Sequence, residues 1–325
     1  MPLTAFSRAA ICITALALLV ACATPTPVAT PTLVPEPTPL PPPTDPAPTI
    51  TPERATDLPA ASATPEPAPQ SPAPNVTPTP VPWQDMPIVP VVSDTARRVY
   101  QHGLELGRNP KAFAKVGDCG GTPSWFLGAF DGPADQYRLG EYGYLQETID
   151  RFAGSFAHES VAARPGFNAS AIFSPLWSDP ERCRPGEGPL ICEIRVTNAS
   201  FAFIMMGSND VWHPDEFEPQ MRRAIEDMIE RGVVPVLSTK ADNIEQDNSI
   251  NATIVRLAQE YDVPLWNFWR AAQPLPNYGL QDDGVHLTWA GMRFDDAEAM
   301  QNGWPVRNLT ALQALDAVWR GVEGK

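Results

Sequence analysis

Phe201-Ala202-Phe203-Ile204-Met205-Met206-Gly207-Ser208-Asn209-Asp210 is the stretch on which the fold turns. An unbroken apolar run stops at a glycine followed by small polar residues. A strand with one wet face alternates, whereas a continuous run of this length reads as a strand buried on both faces. Similar runs occur at Ala112-Phe113-Ala114-Lys115-Val116, Val233-Val234-Pro235-Val236-Leu237 and Val263-Pro264-Leu265-Trp266-Asn267-Phe268. Helical periodicity fills the gaps: Asp94 to Leu106 behind the capping residue Ser93, 141–153, Glu216 to Arg231, 250–261 and about 307–321. Buried strands alternating with helices predict an α/β fold, a three-layer α/β/α sandwich around a parallel sheet, over residues 83–325. Such sheets bind ligands at the carboxyl ends of their strands. Gly117-Asp118-Cys119 and Gly207-Ser208-Asn209-Asp210 both begin where an apolar strand ends.

The remainder of the 325-residue chain reads differently. After Arg8 an apolar run of about 13 residues, Ala9 to Ala21, matches a signal-peptide core and is too short to span a membrane. It ends in Leu19-Val20-Ala21-Cys22, which resembles the lipobox of bacterial lipoproteins. That resemblance implies removal of residues 1–21 and lipidation of Cys22. Residues 23–82 hold 21 of the 39 prolines and no glycine, a composition that favours an extended polyproline II stalk over a packed core. Residues 22–82 are therefore expected to tether the domain to a bacterial membrane, outside the cytoplasm at the cell surface. The net charge of −15, of which −12 falls in residues 83–325, disfavours nucleic acid as a partner.

Three short motifs occur in order: Gly117-Asp118-Cys119, Gly207-Ser208-Asn209-Asp210 and Asp283-Gly284-Val285-His286. Together they resemble the SGNH (GDSL-type) hydrolases, a family of esterases, lipases and carbohydrate deacetylases. No Gly-x-Ser-x-Gly elbow, phosphate-binding loop or dinucleotide fingerprint competes with this reading. The chemistry is also legible without the family. Acyl transfer needs a nucleophile, a base, a group that orients the base, and donors for the developing oxyanion. His286 is the candidate base, and Asp283, three residues earlier, can orient its ring from the same turn. Asn209 is a candidate oxyanion donor, with the backbone N–H of Cys119. The resemblance implies a further glycine donor, for which Gly166 is the candidate.

At the nucleophile position the family's serine is replaced by Cys119. A thiol paired with an imidazole is a competent nucleophile. Cys183 and Cys192 bracket a Gly/Pro-rich loop suited to a disulfide in an oxidising compartment, which leaves Cys119 as a free thiol. The expectation is an ester hydrolase with a Cys119–His286–Asp283 triad and no cofactor or metal. Its substrate is a small-molecule or glycan ester, with glycan O-acyl groups and thioesters as candidates. The alternative is an inactive module of the same fold that binds a glycan or another surface component, with Cys119 as a small filler. Trp125, Trp212 and Trp289 follow the motifs closely and are expected to line the cleft.

Overall fold

The computed structural model describes residues 81–325; the signal peptide, Cys22 and all but the end of the expected stalk lie outside the described residues. The elements run α1 (Asp94–Glu105), β1 (Asn109–Gly117), β2 (Tyr137–Arg138), α2 (Gln146–Arg151), α3 (Pro189–Thr197), β3 (Ala199–Met205), α4 (Pro214–Glu230), β4 (Val234–Ser238), α5 (Ser249–Glu260), β5 (Leu265–Trp266), α6 (Phe268–Ala272), β6 (Met292–Arg293) and α7 (Gly303–Glu323). Strands β1, β3, β4 and β5 pair in that order, all parallel. Beyond β1 the sheet is continued by a bridge from Gly117 to Ala163. Strands β2 and β6 form a separate parallel pair.

Side-chain alternation divides the core by size. Phe113, Phe201, Phe203 and Trp266 point to one face, where Tyr100 of α1, Ile149 of α2 and Leu315 and Trp319 of α7 cover them. Ala114, Val116, Ala202, Ile204 and Leu237 point to the other face, under Leu190 of α3, Ile225 of α4 and Ile254 of α5. These are the two helical layers of an α/β/α sandwich. The aromatic face is tied together by edge-on contacts, with Phe113 against Phe203 at 5.8 Å and Phe126 against Phe203 at 5.7 Å. Helix α1 makes a close approach: a Cβ on Gly103 would stand 2.1 Å from the carbonyl oxygen of Gly232.

The segment between β1 and α3 departs from the sequence reading. Residues 140–145 form a 3₁₀ turn that leads into α2, in place of one helix over 141–153. Helix α3 was not anticipated; it carries Cys192, which is bonded to Cys183. Among the described residues no helix is long and apolar enough to cross a membrane.

Candidate active site

The carboxyl ends of β1, β3 and β4 open into one cavity of about 350 Å³. Its wall holds Cys119, Asn209 and His286, three residues from three separate motifs. Each reaches it for a local reason. Strand β1 ends at Gly117, and Asp118 caps the turn Cys119–Gly121 by accepting from the Gly120 N–H at 2.8 Å, which lifts Cys119 off the strand end. Asn209 follows β3 and donates through Nδ2 to the Phe167 carbonyl at 2.9 Å. One amide hydrogen fixes the side chain in this way, and the other remains for a ligand.

The Asp283–His286 turn is self-contained. Asp283 Oδ1 accepts from the backbone N–H groups of Val285 and His286, both at 2.9 Å, and Oδ2 meets His286 Nδ1 at 2.7 Å. The carboxylate can only accept, so Nδ1 carries the proton and Nε2 is left as a base. The bond from His286 and those two backbone donors hold the Asp283 carboxyl down at about 2. The loop itself is seated on the start of α7. Thr288 donates its N–H to Gly279 O, and Trp304 and Gly303 donate theirs to Thr288 O and Oγ1.

The thiol of Cys119 is the free cysteine of the described residues. Burial, and after it the Asp118 carboxylate, push its pKa up. Among the described residues no hydrogen bond joins it to His286. Cys119 and His286 thus share one cavity without a hydrogen bond between them, and the burial of the thiol disfavours its thiolate. Burial also pushes the Asp118 carboxyl up.

Other expected residues lie elsewhere. Gly166 is not in this cavity. Arg164-Pro165-Gly166-Phe167 forms a turn closed by Phe167 N–H to Arg164 O at 3.1 Å, with Gly166 at φ 82°, the conformation that calls for glycine. The turn carries Gly166 into a separate depression beside Trp177, while presenting the Phe167 carbonyl that anchors Asn209. Trp212 and Trp289 do not line the cavity either; they are 75% and 63% exposed, because the short turns after Asn209 and His286 swing them outward. Trp125 does line it, stacked on Trp304 at 5.6 Å.

Sequence reasoning missed Trp304 and Arg307 in the cavity wall. Lys240 of the same wall is buried and paired with Asp242 at 2.7 Å and Glu245 at 2.6 Å. Ser208 donates its hydroxyl to Asp242 at 2.6 Å, so Ser208 is part of a polar wall. Arg307 and Trp304 come from α7, which starts earlier than the periodicity indicated. The signal for Arg307 was present: Trp304, Val306, Leu309, Ala311 and Leu312 leave α7 little polar face on which an arginine can reach water.

The GDSL-like lipase/acylhydrolase family model matches residues 130–294, just over half of the chain. The chain belongs to this family. As a GDSL-like acylhydrolase it falls among hydrolases of ester bonds. The matched span includes Asn209, Asp283 and His286 and begins after Cys119. Among solved structures, the chain is similar to a candidate acylhydrolase of Bacteroides fragilis (16% identity, 74% of this chain and 100% of that one, TM-score 0.41). It is also similar to a variant of an acetyl xylan esterase of Geobacillus stearothermophilus (15% identity, 63% and 94%, TM-score 0.38). A search of curated protein sequences finds no match.

Proposed function

We propose that the protein hydrolyses esters through Cys119 as nucleophile, His286 as general base and then acid, and Asp283 as the group that orients His286. The observation that carries this reading is the convergence of Cys119, Asn209 and His286 on one cavity, with His286 already bound to Asp283 at 2.7 Å. His286 Nε2 takes the thiol proton as sulfur attacks the ester carbonyl. The alkoxide leaves with that proton, and water then attacks the thioester, returning the thiol and releasing the acid. Asn209 and the Cys119 N–H serve the oxyanion. Because burial disfavours the thiolate, deprotonation accompanies attack. Removal of residues 1–21 at the Leu19-Val20-Ala21-Cys22 boundary and lipidation of Cys22 would hold this chemistry at a bacterial membrane surface.

A second reading has an observation of its own. The thiol makes no hydrogen bond to His286 and is pushed away from ionisation, as expected of a family member that has kept the cavity and lost turnover. Hydrolysis of p-nitrophenyl acetate separates the two. Turnover that disappears in Cys119→Ala supports the nucleophile. A silent wild type that Cys119→Ser awakens supports the binding module, with the rest of the site intact.

A further inference from the structure

Arg307 is a charged group in the cavity wall that the proposed hydrolysis leaves unused. It is 8% exposed, lines the cavity, and sits within α7 among the rings of Phe268 (4.9 Å to the centroid), Trp266 (5.3 Å), Phe126 (5.4 Å) and Trp304 (5.9 Å). A guanidinium has five N–H donors. Among the described residues none of those donors has a hydrogen-bonded acceptor and no carboxylate lies within ion-pair distance; Nε is buried without a partner. Buried arginines are ordinarily paired, because removing a cation from water is costly. The ring faces supply part of the missing solvation but no acceptors. Burial pulls the guanidinium down to about 10, so it stays charged at neutral pH.

The nearby carboxylates are committed elsewhere. Asp242 takes Lys240 and Ser208, and Asp118 Oδ1 takes the Gly120 N–H. The free end of the arginine lies beside the residue that follows Cys119: Nη2 stands 4.0 Å from where a Cβ on Gly120 would be.

We propose that Arg307 forms an anion subsite in this cavity, and that the ester this site takes carries a carboxylate. A carboxylate matches the flat two-donor edge of a guanidinium. One arginine facing Asp118 and Asp242 suits a monoanion better than a doubly charged phosphate. The subsite stands on the geometry alone, and the carboxylated ester rests on the hydrolase reading above.

The test uses the full chain and two esters of similar size, p-nitrophenyl hemisuccinate and p-nitrophenyl butyrate. Wild type is expected to favour the anionic ester in kcat/KM by about tenfold to a hundredfold, the range of one charge-assisted contact. Arg307→Met is expected to abolish that preference, and Arg307→Lys to retain part of it. In parallel, glutarate at constant ionic strength should raise the unfolding temperature of Cys119→Ala and not that of the Cys119→Ala, Arg307→Met double variant. A glutarate shift with no ester turnover in wild type would keep the subsite and remove the hydrolase reading. Two results overturn the proposal: no preference together with no glutarate shift, or equal loss of both esters in Arg307→Met together with a displaced alkylation profile of Cys119. The second would assign Arg307 to the thiol. Should Arg307→Met not fold, the wild-type preference, the Arg307→Lys variant and the glutarate titration of Cys119→Ala decide it.

Discussion

Replacing Asp210 by Asn isolates an electrostatic cost built into the motif after β3. The side chain is 2% exposed; Oδ1 accepts from the Ala169 N–H at 2.8 Å, and Oδ2 is buried without a partner. Burial raises its pKa from 3.8 to about 6, against the opposing pull of the backbone donors. The folded state therefore binds the proton more tightly than the unfolded chain. Stability is fully present below the unfolded value, starts to fall once the unfolded carboxyl ionises, and stops falling once the folded carboxyl ionises near 6. A shift of about two units is worth about 3 kcal/mol at full ionisation. Asn keeps the acceptor for Ala169 and removes the charge. The stability of Asp210→Asn relative to wild type should thus rise by about 2.5 kcal/mol between about pH 4 and pH 7.5. Urea unfolding of both proteins across that range measures the difference, and groups common to both cancel. A difference that does not change with pH would refute the reasoning, because it would mean that Asp210 titrates alike in the folded and unfolded chains.

Asp283→Asn should lower kcat for p-nitrophenyl acetate by about a hundredfold to ten-thousandfold, since the amide no longer dictates the His286 tautomer. Because Asp283 is held at about 2, it stays ionised down to strongly acidic pH, and any acid limb of the wild-type rate profile above about pH 4 must come from another group; an inflection that disappears only in Asp283→Asn would contradict this. Gly103→Ala sets a Cβ against the Gly232 carbonyl oxygen, a fixed backbone atom, and should destabilise by about 3 kcal/mol. Its urea midpoint should fall with an unchanged slope.

Legibility followed hydrophobic continuity. Strand β3 could be read because its residues are buried on both faces, and the same logic found β4 and the site residues at the strand ends. Strand β1 was read short because Pro110 and Lys111 interrupt the apolar run. Helix α3 was obscured by Gly186, Gly188 and Pro189 at its start, where proline in a first helical turn looks like loop. The two-residue strands β2 and β6 have no period to detect. For the site, the Asp283–His286 pair was legible because its bonds close within one turn. Gly166 was misplaced because a glycine signals a positive φ and does not say which way the turn then faces. Trp212 and Trp289 were misplaced because proximity in sequence to a motif does not fix the direction of a ring. Arg307 escaped because a charged residue on a helix is ordinarily read as facing water.

The seating of the dyad loop on α7 leaves no room for adjustment: a Cβ on Gly303 would stand 2.3 Å from the Gly279 carbonyl oxygen. Arg307 lies one helical turn beyond Gly303. His286, the proposed base, and the arginine that faces the cavity are thus mounted on the same small piece of backbone. Anything that tilts this mount, whether a mutation or a neighbouring molecule, displaces both by related amounts. Rate and charge preference would then drift together across natural variants of the contact. They can be tuned separately only by changes in the side chains, so an engineer seeking a different substrate charge should leave the Gly279–Gly303 junction alone.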